Sequence, residues 1–99
     1  MKFELKGPLK DNIYNLMRGL GYHFLDEEEK TSEMNFVHPL GGDVYPRFHV
    51  FLKVDGGNLI INLHLDQKGP SYKGTPAHSG EYESGLVKKE AERIKNILK

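Results

Sequence analysis

The stretch Arg47–Lys68, RFHVFLKVDGGNLIINLHLDQK, decides the fold. Two apolar-rich runs flank Asp55-Gly56-Gly57-Asn58, which closes a hairpin either on the two glycines or as a four-residue loop. Both closures set Val54 opposite Leu59. Counting back pairs Leu52 with Ile61, Val50 with Leu63 and Phe48 with Leu65, a wholly apolar face. The other face pairs Lys53 with Ile60, Phe51 with Asn62, His49 with His64 and Arg47 with Asp66. A slip of one residue would set apolar side chains against polar ones, so the pattern specifies this register.

Working outward, Tyr22–Glu28 and Glu33–His38 read as two further strands, turned by the polar Glu29-Lys30-Thr31-Ser32. The acidic run Asp26–Glu29 reads as a solvated strand end. Lys2–Lys6 alternates like a short strand, and Gly7-Pro8 breaks it. Leu9, Ile13, Leu16, Met17 and Leu20 then recur at helical spacing, with Pro8 suited to the helix entry and Gly21 to its exit. At the far end Val87, Ala91, Ile94 and Leu98, joined by Leu86 and Ile97, form a second helical stripe behind Ser84 as N-cap. Gln67–Glu83, rich in glycine and proline, has no apolar periodicity and reads as a long loop, of a length often tied to function.

The order is strand, helix, four strands, helix. Two helices with one apolar stripe each cover one face of an antiparallel meander. The expected fold is therefore an α+β two-layer sandwich, a single domain over residues 1–99. The face bearing Arg47, His49, His64 and Asp66 is then open, or lies under the long loop.

Composition narrows the function classes. A chain that is 37% hydrophobic and 28% charged is neither disordered nor a membrane protein. The absence of cysteine excludes disulfides, thiol nucleophiles and thiolate zinc sites. Lys+Arg and Asp+Glu balance at 14 each, which argues against chain-wide attraction to nucleic acid but permits a local basic patch. MKFELKGPLK has no apolar segment of the secretory kind, so the expected location is cytoplasmic, with no membrane partner.

The helix–strands–helix layout, with a last helix carrying KKEAERIKNIL, resembles the double-stranded-RNA-binding domains. Lys88, Lys89 and Ala91 match that family's basic KKxAK run, and Glu92 stands at its third basic position. The resemblance implies phosphate contacts by Lys88 and Lys89. LMRGLGYHFLDEEEKTSEMNFVHP is also similar to HicA-type toxins, mRNA interferases of the same fold, through Gly21-Tyr22 and His38-Pro39. Glu33 occupies the place of that family's catalytic histidine, so the resemblance implies RNA contact without carrying over the activity.

Two constellations carry chemistry. As a binding surface, Arg47, His49, Phe51, Lys53, Asn62 and His64 combine cations, amides and an aromatic on one face, extended by Lys68, Tyr72, Lys73 and Tyr82 on the loop and by Lys88 and Lys89. Bases stack on such aromatics and phosphates meet such cations. This reading, a small cofactor-free module for RNA or another phosphate-bearing ligand, is the first expectation. The alternative is a metal-dependent hydrolase or nuclease. There His49, His64 and Asp66, with His78 and Glu81 from the loop, would hold zinc or iron, since imidazoles and a carboxylate with open positions suit those ions. A third reading is a protein–protein adaptor using an exposed sheet edge such as Lys2–Lys6. Ser71 and Ser79 have no nucleophile-elbow motif around them, and Glu81 with Glu83 reads as negative charge leading into the last helix.

Overall fold

The computed structural model describes residues 1–67, 80–81 and 85–98. At its centre are β4 (Arg47–Asp55) and β5 (Asn58–Asp66), paired antiparallel in the register the pattern dictates: Val50 opposite Leu63, His49 opposite His64, Arg47 opposite Asp66. Gly56 and Gly57 close the turn with φ of 60° and 89°. Both angles lie in the left-handed region, which a two-residue turn of this hand requires and glycine adopts at no steric cost.

Around this hairpin stand β1 (Lys2–Leu5), α1 (Ile13–Gly19), β2 (His23–Glu27), β3 (Met34–Pro39), a two-residue β6 (Gly80–Glu81) and α2 (Gly85–Leu98). The strands from β2 to β5 are sequential neighbours, so that part is a meander. β1 crosses over to pair antiparallel with β5, giving the order β1-β5-β4-β3-β2, and β6 pairs with the end of β5. The sheet is thus not a meander throughout, and β6 was not expected. The Lys2–Lys6 segment does lie along a sheet edge, and no helix of the described residues is long and apolar enough to cross a membrane.

One layer of core lies between the sheet and both helices. Val50, Leu52, Leu59, Ile61 and Leu63 are wholly buried, packed with Met17 and Leu20 of the α1 end and Val87, Ile94 and Leu98 of α2. Each such side chain contributes roughly 1.5–3 kcal/mol of burial. α1 begins later than its apolar stripe does. Asn12 is the N-cap and its side chain accepts from the Asn15 N–H at 2.9 Å. An asparagine oxygen satisfies an otherwise orphaned helix donor, which Pro8 cannot do. Leu9 still packs against the core from outside the helix.

α2 departs from the expected stripe. Leu86 and Ile97 are exposed, and Glu90 is buried in their stead. Glu90 accepts from the Tyr22 hydroxyl at 2.6 Å and from Arg93 Nε and Nη2 at 2.8 Å each. Arg93 Nη2 also donates to the Leu20 carbonyl at 2.8 Å, tying α2 to the end of α1. Burial and the Glu90 carboxylate push the Tyr22 hydroxyl far above its ordinary ionisation, with Arg93 opposing. Ser84 lies outside the described residues, so its capping role does too. Gly21, at φ +98°, brings its Cα against the His38 ring, where a Cβ would sit 2.7 Å from Nδ1.

Candidate functional site

The sheet face away from the helices carries the site. Alternation along β4 places Arg47, His49, Phe51 and Lys53 there, and alternation along β5 places Ile60, Asn62, His64 and Asp66. The binding residues expected on the two strands are therefore brought together. The row across the sheet is His23, Val37, His49, His64, from β2 through β5. The face is only partly open: Val37 is 6% exposed and His64 9%.

Asp66 is the hub. Its Oδ2 is 3.0 Å from His49 Nδ1 and 3.3 Å from Arg47 Nε, and its Oδ1 is 3.0 Å from His64 Nε2. Burial alone would raise the Asp66 carboxyl. The hydrogen bonds and positive charge of His49 and His64 outweigh it and hold the group well below the usual carboxylate range. An ionised carboxylate only accepts, so His49 Nδ1 and His64 Nε2 both donate to it.

The second nitrogen of His49 is also fixed. Its Nε2 is 3.0 Å from Asn35 Oδ1 on β3. Asn35 cannot be turned round, because its Nδ2 donates to Asp26 Oδ1 of β2 at 2.8 Å and a carboxylate accepts nothing but a donor. His49 Nε2 must therefore donate to Asn35. A chain of hydrogen bonds crosses four strands: Asp26, Asn35, His49, Asp66, His64. Phe51 stacks on His49 at 4.3 Å between ring centroids and 23° between planes, which holds the imidazole upright. Tyr45 does the same for Arg47, whose guanidinium lies 4.7 Å from the ring centre.

Sequence reasoning missed Asn35 and Asp26. It read Asp26 as one charge in a solvated strand end. Asp26 is exposed, yet it orients Asn35, and Asn35 orients His49. No local signal marks either residue, because what brings Asn35 to His49 is the β3–β4 register, with Val37 opposite His49.

The other expected residues fall elsewhere. Lys88 and Lys89 are exposed on α2, in the layer on the opposite side of the sheet from His49 and His64. Lys68, Tyr72, Lys73, His78 and Tyr82 lie outside the described residues, as does the expectation that the loop packs on the polar face. The chain does return to the site: Gly80 of β6 is paired with Asp66 and Glu81 with Leu65, although the Glu81 side chain is outside the described residues.

Chemically, His49, His64 and Asp66 offer one ligand atom each, all within 4.8 Å of one another. In a coordination sphere with bonds near ~2.1 Å, neighbouring ligand atoms lie about 3–3.5 Å apart. The two histidine–aspartate separations already meet that spacing. A donor set of two imidazoles and one carboxylate is of the kind that suits zinc or non-haem iron.

Comparison with protein-family models, with characterised proteins and with solved structures finds no match to this chain.

Proposed function

We propose that this domain binds one divalent transition-metal ion through His49, His64 and Asp66 and uses it to hydrolyse a phosphate-bearing substrate. The observation that carries the reading is the convergence of three ligand atoms from β4 and β5, with His49 held from behind by Asn35. A ligating histidine ordinarily donates its other ring N–H to a fixed acceptor, which fixes the ring and its tautomer and leaves the lone pair of the ligating nitrogen for the metal. Asn35, locked by Asp26, is such an acceptor. A metal held there would acidify a bound water. Arg47, hydrogen-bonded to Asp66 and braced by Tyr45, supplies a cation beside the open positions for an anionic oxygen of the substrate.

The test is turnover of bis(p-nitrophenyl) phosphate and of a single-stranded RNA oligonucleotide by protein loaded with zinc, manganese or iron. The reading expects metal-dependent hydrolysis that is lost on chelation and in His49→Ala and His64→Ala. Metal-loaded protein that cleaves neither probe refutes hydrolysis of phosphate-bearing substrates.

A second reading is the cofactor-free one: a module that binds RNA or another phosphate-bearing ligand without a metal. What favours it is that the Arg47 guanidinium stands beside His49 and His64 on one sheet face, where N–H groups can meet an anion. Chelator-treated protein would then bind the same oligonucleotide, with an affinity that falls as salt rises. Absence of binding at low salt removes this reading.

A further inference from the structure

Between α1 and the β2–β3 edge lies a concavity of about 340 Å³, lined by Tyr14, Arg18, Tyr22, His23, Phe24 and Phe36. Tyr14 and Phe24 are 41% and 45% exposed, although both belong to an aromatic cluster. Two of its ring pairs meet edge to face, Tyr14 and Phe24 at 5.3 Å and 75° and Phe24 and Phe36 at 5.5 Å and 66°, and Tyr14 and Phe36 are tilted at 6.2 Å and 55°. Rings so tilted form walls, and do not close into a stacked column. Tyr22 forms part of the lining while its hydroxyl is committed to Glu90.

Arg18 supplies the positive charge of the lining, while the Glu27 carboxylate accepts from the Tyr14 hydroxyl at 3.4 Å. Arg18 lies four residues after Tyr14, on the same side of α1. It is exposed, and among the described residues its side chain has no ion pair. Small-ligand sites are concave and largely apolar or aromatic, with a few placed polar groups, at volumes from about 300 Å³ upward. This concavity has that size, two exposed ring walls and the exposed Arg18 guanidinium. A guanidinium pairs best with carboxylate or phosphate.

We propose that this concavity is a second ligand site, independent of the Asp66 site, for a planar aromatic group that carries an anion. The ring packs against Tyr14 and Phe24, over the buried Phe36, and the anion pairs with Arg18. That chemistry has two sources: the base and phosphate of a nucleotide, or an aromatic carboxylate. The experiment titrates chelator-treated, ¹⁵N- and ¹³C-labelled protein with adenosine 5′-monophosphate, adenosine and indole-3-carboxylate, following backbone and aromatic resonances. Shifts should localise to Tyr14, Arg18, His23 and Phe24, and at least one anion should bind about 10-fold more tightly than adenosine. Arg18→Gln should weaken that anion about 10-fold and leave adenosine unchanged, while Tyr14→Ala weakens all three. Binding of the nucleotide but not of indole-3-carboxylate assigns the first source, and the reverse assigns the second. Shifts scattered over the surface, equal affinity for adenosine and the anions, or an Arg18→Gln variant that binds the anion as before would each overturn the proposal. Because chelator is present throughout, the outcome does not depend on whether Asp66 helps to hold a metal.

Discussion

Replacing Asn35 by leucine separates a structural from a functional role for the hydrogen-bond chain. Leucine is close to isosteric and cannot accept a hydrogen bond. The substitution leaves His49 Nε2, now 3.0 Å from the Asn35 oxygen, facing an apolar group. The His49 side chain is 14% exposed, so water reaches it poorly. An unsatisfied donor of that kind costs about 1–3 kcal/mol. Asp26 loses a partner too, but it is exposed and returns to solvent at little cost. In the metal-bound state the same loss frees the ring to rotate and to adopt the other tautomer. Outer-shell losses of this sort reduce metal affinity about 10- to 100-fold, or ~1.4–2.7 kcal/mol. Competition titration against a chromophoric zinc chelator measures that affinity, and long-range ¹H–¹⁵N spectra of the imidazoles report the tautomer. Asn35→Asp combined with Asp26→Asn is the control, since it keeps an acceptor toward His49 and restores a donor across the β2–β3 pair. The account expects Asn35→Leu to lose affinity and the double variant to keep most of it. Equal zinc affinity in wild type and Asn35→Leu, with His49 still protonated on Nε2, would refute the reasoning.

Other expectations follow from the same structure. Glu90→Gln puts an amide N–H against donors whichever way it turns, because both Glu90 oxygens receive them; urea unfolding should show a loss of about 2–4 kcal/mol, moderated by the partial exposure of Arg93. Tyr22 has its ionisation raised in the fold, whereas a tyrosine in the unfolded chain ionises near 10.0. Its contribution to stability is therefore whole below that pH. Above it the contribution falls by about 1.4 kcal/mol per pH unit, and Tyr22→Phe should unfold with a flatter alkaline dependence. If RNA binds through α2 as well, Lys88→Ala with Lys89→Ala should reduce the salt slope of binding by about two phosphate contacts. An unchanged slope removes that helix from the interface.

How much of this was legible in the sequence follows from where each residue's partners lie. The hairpin was legible because its partners are close in the chain and its two faces differ in polarity. Only one register satisfies Val50, Leu52, Ile61 and Leu63 together, and it brings His49, His64 and Asp66 with it. Asn35 and Asp26 were not legible, because their roles depend on the β2–β3 and β3–β4 pairings. The turns between those strands are irregular, and β2 carries a bulge between Phe24 and Asp26. Glu90 was missed for a different reason. Its charge argues for solvent, and its burial is possible only because Tyr22 and Arg93, 68 residues apart from it and three, converge on it. The crossover of β1 to β5 is likewise long-range. The antiparallel backbone bonds from Met1 to Leu63 fix it, and no local pattern in Lys2–Lys6 announces which strand it joins.

The most direct test of the central claim is the metal content of protein made without a histidine tag, exchanged into zinc, then freed of unbound ion. The account predicts one equivalent of zinc per chain, X-ray absorption showing two imidazoles in a nitrogen/oxygen sphere, and loss of the ion in His49→Ala, His64→Ala and Asp66→Ala. Well-folded wild-type protein that retains less than about a tenth of an equivalent of zinc, and equally little iron or manganese on the same treatment, would contradict it.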